Sequence, residues 1–234
     1  TGVLRRKVVD DEALMRRIND GSASDADRER LEREGEFLHG AFYLGSHEFY
    51  DWLRDLDADA QRGIGMRRVS EVNELYGGRE SLERVQRHQA RFFNTCMMAT
   101  ALGAAVSDGL ADGRVVSGVG GQYNFVAMAH ALPEARSVLM LRATREEPGK
   151  PAISSIVWNY GHTTIPRHLR DVYVSEYGIA DVHGACDEDC VHAMAAIADS
   201  RFQHALLSTA NLSGKLLDAL VKFRLSGHNT PERL

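Results

Sequence analysis

The sequence has few cysteines and no long apolar run. Its three cysteines among 234 residues do not make the disulfide framework of a secreted domain, so they predict a reducing, cytoplasmic setting. No stretch is long enough to span a membrane, and no basic segment followed by an apolar one marks a signal peptide. We therefore expect no membrane partner.

Excess positive charge is also absent. The net charge is −5 at pH 7, from 28 basic and 33 acidic residues, whereas binding a nucleic-acid backbone calls for a basic face. We therefore expect no nucleic-acid partner. Lysine is scarce, and arginine supplies nearly all the positive charge. A bound phosphate or carboxylate is accordingly expected to meet guanidinium groups.

Strand-like and helix-like segments alternate along the chain. Apolar strand candidates at 136–144 and 170–178 alternate with helical segments at 46–56, 124–132 and 187–210. This order predicts an α/β fold with an open, mostly parallel sheet and helices on both faces. The apolar run 92–105 suits a buried strand or a buried helix, and 67–78 suggests a short strand and a turn.

Two regions differ in composition. Residues 1–36 form a charged N-terminal segment, in which Ser24 or Asp25 is expected to cap a solvated helix that ends at Gly35. Residues 37–234 are predicted to form one domain. The chain begins with Thr1 rather than methionine, and we expect it to be a piece of a longer protein.

Three glycines occur in "VVSGVGGQYNF", residues 115–125, after an apolar run and before a predicted helix. Such a loop occurs where open α/β sheets bind ligands, because unpaired N–H groups converge there. It has neither the spacing of a dinucleotide fingerprint nor the lysine of a phosphate-binding loop. From the pattern alone, a structural turn and a ligand loop are equally supported.

Three further segments carry candidate chemistry. "SEYGIAD" places Glu176 at a strand end, and "GHTTIPR" contains Thr163, Thr164 and Arg167, although surface roles suit both segments. "HGACDEDCVH" contains four residues of types that bind zinc, but their spacing fits zinc poorly because His192 is rotated away from the helix face of the cysteines. We expect no metal. The four residues are His183, Cys186, Cys190 and His192.

The order of the motifs is more specific than any one of them. "SGVGGQYNF", "SSIV", "TTIPR", "DVYVSEYGIADVHG" and "IADSRF" resemble, in that order, the C-terminal half of the acetyl-CoA hydrolase/CoA-transferase family. Upstream, "LGSHEFYDWL" and "FFNTCMMATALGAAV" resemble two more segments of the family, so the likeness covers about residues 37–207. It implies a CoA-transferase-like fold, no bound cofactor, and acyl-CoA and a small carboxylic acid as substrates. A homo-oligomer is also implied.

The resemblance also implies a mechanism. In this family a glutamate attacks the acyl-CoA thioester, and CoA then moves between carboxylic acids through a glutamyl-CoA thioester. That glutamate belongs to a His-Ser/Thr-Glu motif expected upstream of Thr1, so this chain alone is expected to be inactive. Glu176 and Asn94 match supporting active-site residues, and Gly120 and Gly121 match the loop that approaches the thioester carbonyl. The residues expected to bind substrate or CoA are Gly118, Gly120, Gly121, Gln122, Thr163, Thr164 and Arg167.

Several positions depart from the family pattern, which leaves the acyl and acceptor specificity open. Two alternatives therefore stand beside the enzyme: a non-catalytic acyl-CoA-binding or scaffold module, and an interaction domain with a degenerate site. The departures are Thr100, Ala104, Asn124, Ser155, Ser175, and Asp199 with Ser200 where the family has His-Pro.

Overall fold

A computed structural model describes residues 2–146, 148–216 and 228–233. The chain divides into two compact units, each of which is described by itself. The first is Thr1–Ala90 with Leu132–Glu134, and the second is Arg91–Ala131 with Ala135–Leu234. The domain predicted for residues 37–234 includes parts of both units, and it stays a prediction.

The first unit combines a three-stranded sheet with short helices. The sheet order is β1-β2-β3, with β1 antiparallel and β3 parallel to the central strand. The elements are β1 (Gly2–Val8), α1 (Glu12–Asp20), α2 (Asp25–Glu34), β2 (Glu36–Gly40), α3 (His47–Asp55), α4 (Ala58–Arg62), β3 (Ile64–Met66), α5 (Val69–Asn73) and α6 (Glu80–Gln86).

The charged segment contains more structure than its composition indicates. The solvated helix is confirmed as α2, where Ser24 forms a capping box with Asp27 and the helix ends at Gly35. The rest of the segment is not merely solvated, because Leu14 and Met15 of α1 are fully buried in a small core with Val8 and Val9. Frequent charges conceal the helical spacing of these apolar residues in the sequence.

Two other predictions from the sequence fall in this unit, the helix cap at Ser46 and the strand and turn within 67–78. Ser46 caps α3 as predicted, its side chain accepting a hydrogen bond from the backbone of Phe49. The strand predicted within 67–78 is wrong: residues Val69–Asn73 form α5, and the short strand β3 ends at Met66. Gly78 does have the positive φ of a turn, at 93°.

The second unit is an α/β arrangement around a mostly parallel sheet. It also contains 3₁₀ turns at Arg167–Leu169 and Pro231–Arg233. The remaining elements are β4 (Arg91–Thr95), β5 (Met98–Thr100), β6 (Ala105–Val106), α7 (Gln122–Ala131), β7 (Arg136–Met140), β8 (Thr144–Arg145), β9 (Ile153–Ser154), β10 (Ile156–Val157), β11 (Val172–Ser175), β12 (Gly178–Asp181), α8 (Asp187–Ala196) and α9 (Ser200–Leu212).

The topology confirms the predicted α/β class. The main sheet has the order β12-β11-β7-β4, in which β4, β7 and β11 are parallel and the edge strand β12 is antiparallel. Strands β10-β5-β6 and β8-β9 form two smaller sheets. The ambiguous run 92–105 is resolved as strand rather than helix, since β4, β5 and the start of β6 contain eight of its fourteen residues.

The core of this unit consists of small and medium apolar side chains from the strands and from α7, α8 and α9. Tyr173 of β11 is fully buried, and its hydroxyl donates to the carbonyl oxygen of Gly103 at 3.0 Å. The helix predicted over 187–210 is two helices, since Asp199 caps a new one at Ser200. Among the described residues no helix has both the length and the apolar character of a membrane span.

The burial of α1 can be tested in the first unit. We expect Leu14→Ala to lower the free energy of unfolding by about 2–5 kcal/mol, because it removes a fully buried side chain and leaves a cavity. Urea denaturation measures this loss. Leu44, which is 83% exposed, provides the matched control Leu44→Ala. Equal losses in the two variants would contradict a packed core at α1.

Candidate active site

A cleft lies at the carboxyl edge of the main sheet. The parallel register places Thr95 of β4, Met140 of β7 and Val174 of β11 in one row across the sheet. The chain just beyond these strand ends surrounds a volume of about 850 Å³. Ligands of open α/β sheets bind at this edge, so the topology alone makes the cleft a candidate site.

Glu176 follows the last residue of β11 and lines this cleft. One of its oxygens, Oε2, accepts a hydrogen bond from the backbone N–H of Ala143 at 2.8 Å. Ala143 lies beyond the end of β7, the neighbouring parallel strand. This bond fixes the carboxylate at the rim of the cleft, where it remains exposed to solvent.

Asn94 and Gln122 lie beside the end of β4. The side-chain amide of Gln122 donates to the backbone oxygen of Thr95 at 2.8 Å. Gln122 Oε1 and Asn94 Nδ2 are buried, and neither has a hydrogen-bond partner among the described residues. Burying such an atom without a hydrogen bond costs about 1–3 kcal/mol of folding free energy. A ligand that formed a hydrogen bond with it would recover that energy.

The glycine loop is exposed and leads into α7. Gly120 has a φ of 59°, and a Cβ added at Gly118 or Gly120 would meet no atom within 4 Å. In the described part of the chain, no acceptor pairs with the backbone N–H of Gly118, Gly120 or Gly121. The chain before the loop is not the strand that its apolar residues suggest, because Val115 is 76% exposed and forms only an isolated bridge to Gly109.

Thr164 supports the base of that loop. Asp108 accepts the backbone N–H groups of Val116 and Ser117 on its carbonyl oxygen. Its carboxylate accepts a hydrogen bond from the Thr164 hydroxyl and lies 3.2 Å from Nε2 of His162. The Thr164 bond, followed by that of His162, lowers the pKa of Asp108 below its usual range. Asp108 and His162 gave no signal in the sequence.

Thr163 and Arg167 do not line the cleft that contains Glu176. Both are exposed, and the Arg167 guanidinium pairs with Asp187 of α8 at 3.4 Å. No hydrogen bond of the described residues connects either side chain to Glu176 or Asn94. Their predicted contact with CoA stays a prediction.

The histidines and cysteines of 183–192 have separate environments. Cys186 is exposed and caps α8, Cys190 is fully buried, and His192 lies 4.0 Å from Glu188. His183 lies 3.5 Å from Asp171. Within the described ranges, no group of three or more His, Cys, Asp or Glu residues is arranged to hold a metal ion.

A polar network beside Glu176 escaped the sequence analysis. The Tyr177 hydroxyl donates to Asp199 at 3.1 Å, and Arg201 binds both oxygens of that carboxylate at 2.9 Å. Burial, and then the bond to Asp199, raise the pKa of Tyr177 to about 12, so its hydroxyl stays protonated at neutral pH. The sequence did contain one indication of this network, because Asp199 stands where the family pattern has histidine.

Cys96 also lines the cleft, but it is not poised as a nucleophile. Burial raises the pKa of its thiol to about 12. Because the thiolate is the reactive form, the thiol is unreactive at neutral pH. Among the residues that line the cleft, Glu176 is the acidic residue that directly follows a parallel strand of the main sheet.

Comparison with known proteins finds a matching family. Residues 45–210 match the sequence profile described as "Acetyl-CoA hydrolase/transferase C-terminal domain". A "4-hydroxybutyrate coenzyme A transferase" of Clostridium kluyveri is 24% identical over 115 residues, covering 49% of this chain and 27% of that protein. A "Probable butyrate:acetyl-CoA coenzyme A-transferase" of Syntrophomonas wolfei is 26% identical over 172 residues, covering 73% of this chain and 36% of that protein.

The chain thus matches about a third of the length of these relatives or less. Among solved structures, RipA from Yersinia pestis superposes with a TM-score of 0.61 at 23% identity, covering 82% of this chain and 42% of that one. At this identity the superposition shows a shared fold. The α/β architecture predicted from the motif order is confirmed by the profile match and by this likeness.

The Asp199 network predicts a pH dependence of stability. Burial alone would raise the pKa of Asp199, but the hydrogen bonds from Arg201 and Tyr177 outweigh burial and lower it below its usual 3.8. The ionised Asp199 carboxylate therefore stabilises the fold at pH values above 3.8. This stabilisation is lost as the pH falls through the lowered pKa of the folded state. Between about pH 6 and about pH 3, we expect wild-type unfolding free energy to fall more steeply than that of Asp199→Asn. Urea unfolding at each pH measures this, and parallel profiles would contradict it.

Proposed function

Since the chain belongs to the acetyl-CoA hydrolase/transferase C-terminal domain family, we propose that it binds acyl-CoA and helps transfer the CoA to a second carboxylic acid or release it by hydrolysis. One observation carries the proposal. The carboxylate of Glu176 is held by the Ala143 N–H at the edge where the parallel strands end, and at the same edge Asn94 and Gln122 have buried amide atoms that lack partners among the described residues.

In the proposed reaction, the nucleophile is a glutamate N-terminal to Thr1 in the longer protein. Its carboxylate attacks the thioester carbonyl, the carbon–sulfur bond breaks, and an acyl-glutamyl anhydride and the CoA thiolate form. The thiolate then attacks the glutamyl carbonyl of the anhydride, which gives a glutamyl-CoA thioester and releases the acyl group as a carboxylate. Covalent catalysis thus divides one difficult exchange into two easier steps.

The second half of the reaction repeats these steps in reverse order. An incoming carboxylate attacks the glutamyl-CoA carbonyl and forms a new anhydride, and CoA thiolate is released again. Attack of the thiolate on the acyl carbonyl gives the new acyl-CoA and regenerates the glutamate. If water attacks glutamyl-CoA instead, the products are free CoA and the glutamate, and the protein is a hydrolase.

The residues of this chain would stabilise charge and hold the substrate. Each carbonyl attack places negative charge on an oxygen. The N–H groups of Gly120 and Gly121, which have no acceptor among the described residues, suit that oxyanion. The missing side chains let the thioester approach the backbone closely. Glu176, Asn94 and Gln122 would orient the reacting groups, and Gly118, Thr163, Thr164 and Arg167 would contribute to binding CoA.

A non-catalytic acyl-CoA-binding module is a second candidate. Ser175, one of the departures from the family pattern, donates its hydroxyl to the backbone oxygen of Ile197 at 2.6 Å, and Thr100 accepts from the backbone N–H of Ala104 at 2.9 Å. These two side chains stabilise the fold through their hydrogen bonds to the backbone. Retention of acyl-CoA binding without turnover in the longer protein would favour this candidate.

The test measures both the formation of a new acyl-CoA and the release of free thiol from acetyl-CoA and butyryl-CoA, with and without added carboxylic acids. We expect turnover by the protein extended upstream of Thr1 and none by this chain alone. Glu176→Gln in the extended protein should lower kcat about 100-fold, because it removes the charge that orients the reacting groups. The matched control is Glu29→Gln, on the exposed face of α2.

Mass spectrometry provides the second readout. A covalent CoA adduct on the upstream glutamate of the extended protein supports the mechanism. Binding of acyl-CoA with no new acyl-CoA, no thiol release and no adduct would contradict it. Formation of a new acyl-CoA from a particular added acid identifies a transferase, whereas thiol release that is independent of added acid identifies a hydrolase.

A further inference from the structure

One histidine of the second unit lies at the base of the glycine loop and has no part in the reaction proposed above. Nε2 of His162 lies 3.2 Å from a carboxylate oxygen of Asp108. The imidazole also packs directly on the backbone of Gly109, since a Cβ built there would lie 2.8 Å from three atoms of the ring. The absence of a side chain at Gly109 thus lets the ring reach Asp108.

Asp108 connects this histidine to the glycine loop. Its carbonyl oxygen accepts the backbone N–H groups of Val116 at 2.8 Å and of Ser117 at 3.3 Å, and Ser117 directly precedes the first glycine of the loop. An isolated bridge between Gly109 and Val115 joins the same two stretches of chain. The position of Asp108 therefore determines where the glycine loop begins.

The other side of Asp108 is held by the buried part of the unit. Its carboxylate accepts a hydrogen bond from the hydroxyl of Thr164. Next to them, Ala105 and Ile165 are fully buried and exchange backbone hydrogen bonds of 2.9 and 3.0 Å. Residues 111–120, in contrast, are exposed throughout. Contacts at this base therefore have a large influence on where the exposed loop lies.

The pair responds to pH because one member is ionised and the other changes its charge. The hydrogen bond from Thr164, followed by that of His162, lowers the pKa of Asp108 below its usual range, so this carboxylate is ionised at neutral pH. Histidine changes its charge between about pH 5 and about pH 8. The protonated ring always donates from Nε2, whereas the neutral ring does so in only one of its two tautomers. A charged donor also makes the stronger hydrogen bond.

The other charges of the two stretches that meet at this pair already have partners. Arg114 and Asp112, the two further charged residues between Asp108 and the glycines, pair with each other at 2.8 Å. Arg167, on the segment of the histidine, pairs with a carboxylate of α8 at 3.4 Å. Among the described residues, the ion pair of His162 is the one with Asp108.

We propose that His162 is a positioning residue: through Asp108 it holds the glycine loop in place, and its protonation strengthens that hold. The loop then binds acyl-CoA more tightly at pH values where His162 is charged, a consequence that rests on the function proposed above. His162 acts through Asp108 and not on the substrate itself. A histidine that only filled the space beside Gly109 would give no dependence on its charge.

The first experiment follows the backbone amides of Val116, Ser117 and Gly120 by NMR, without ligand, between about pH 5 and about pH 8. We expect one transition in the wild type. We expect none in His162→Gln, whose amide can still donate to the carboxylate but cannot become charged. His204→Ala, at an exposed position of α9, is the matched control and should keep the transition. Unchanged amide shifts in α8 show that each variant is folded.

The second experiment measures binding of butyryl-CoA to this chain and to the extended protein by isothermal titration calorimetry. The phosphate monoester of CoA titrates near pH 6 as well, so the informative quantity is the ratio of wild-type to His162→Gln affinity at each pH. We expect the wild type to bind about 2- to 5-fold more tightly near pH 5 and the ratio to approach one near pH 8. The ratio of wild-type to His204→Ala affinity should stay at one.

The contrary outcomes separate this inference from the proposed function. A loop transition that persists in His162→Gln overturns the inference, and so does an affinity ratio that is the same at every pH. A loop transition that depends on His162, without any binding of butyryl-CoA, overturns the proposed function and leaves the positioning role standing.

Discussion

Three parallel strands end in the same row of one sheet, and the candidate site depends on that alignment. The row contains Thr95, Met140 and Val174, so the chain leaving each strand enters the same cleft. A shift of one residue in any strand would turn alternate side chains to the opposite face. The burial of Leu139 and Tyr173 in the core opposes such a shift. Packing in the core thereby specifies the position of Glu176, which touches little of the core itself.

Some polar groups next to the candidate site are only partly satisfied among the described residues. At the end of β4, Asn94 and Gln122 bury polar atoms that no described residue pairs. Structures tolerate such deficits where a ligand supplies the missing partner.

The sequence was informative where the signal was local. Ser24 and Ser46 are capping residues that act within three positions, and both helix starts were predicted. The apolar stretch around β7 likewise identifies a buried parallel strand. Helix α1 was missed because charges surround Leu14 and Met15. The candidate residues Glu176 and Gln122 came from the order of motifs, whereas the contacts that position the site are distant in sequence. Ala143 binds Glu176 across 33 residues and Thr164 binds Asp108 across 56, so only the folded chain reveals them.

The most direct test of the proposed site is to locate bound acyl-CoA by NMR, from the changes in backbone amide shifts when butyryl-CoA is added. We predict that the largest changes occur at Gly120 and Gly121, whose N–H groups have no acceptor in the described part of the chain, and at Ala143, whose N–H holds Glu176. Amides of α1 and α2 should keep their shifts. Changes that leave Gly120, Gly121 and Ala143 unaffected would contradict the assignment of the site to the carboxyl edge of the sheet.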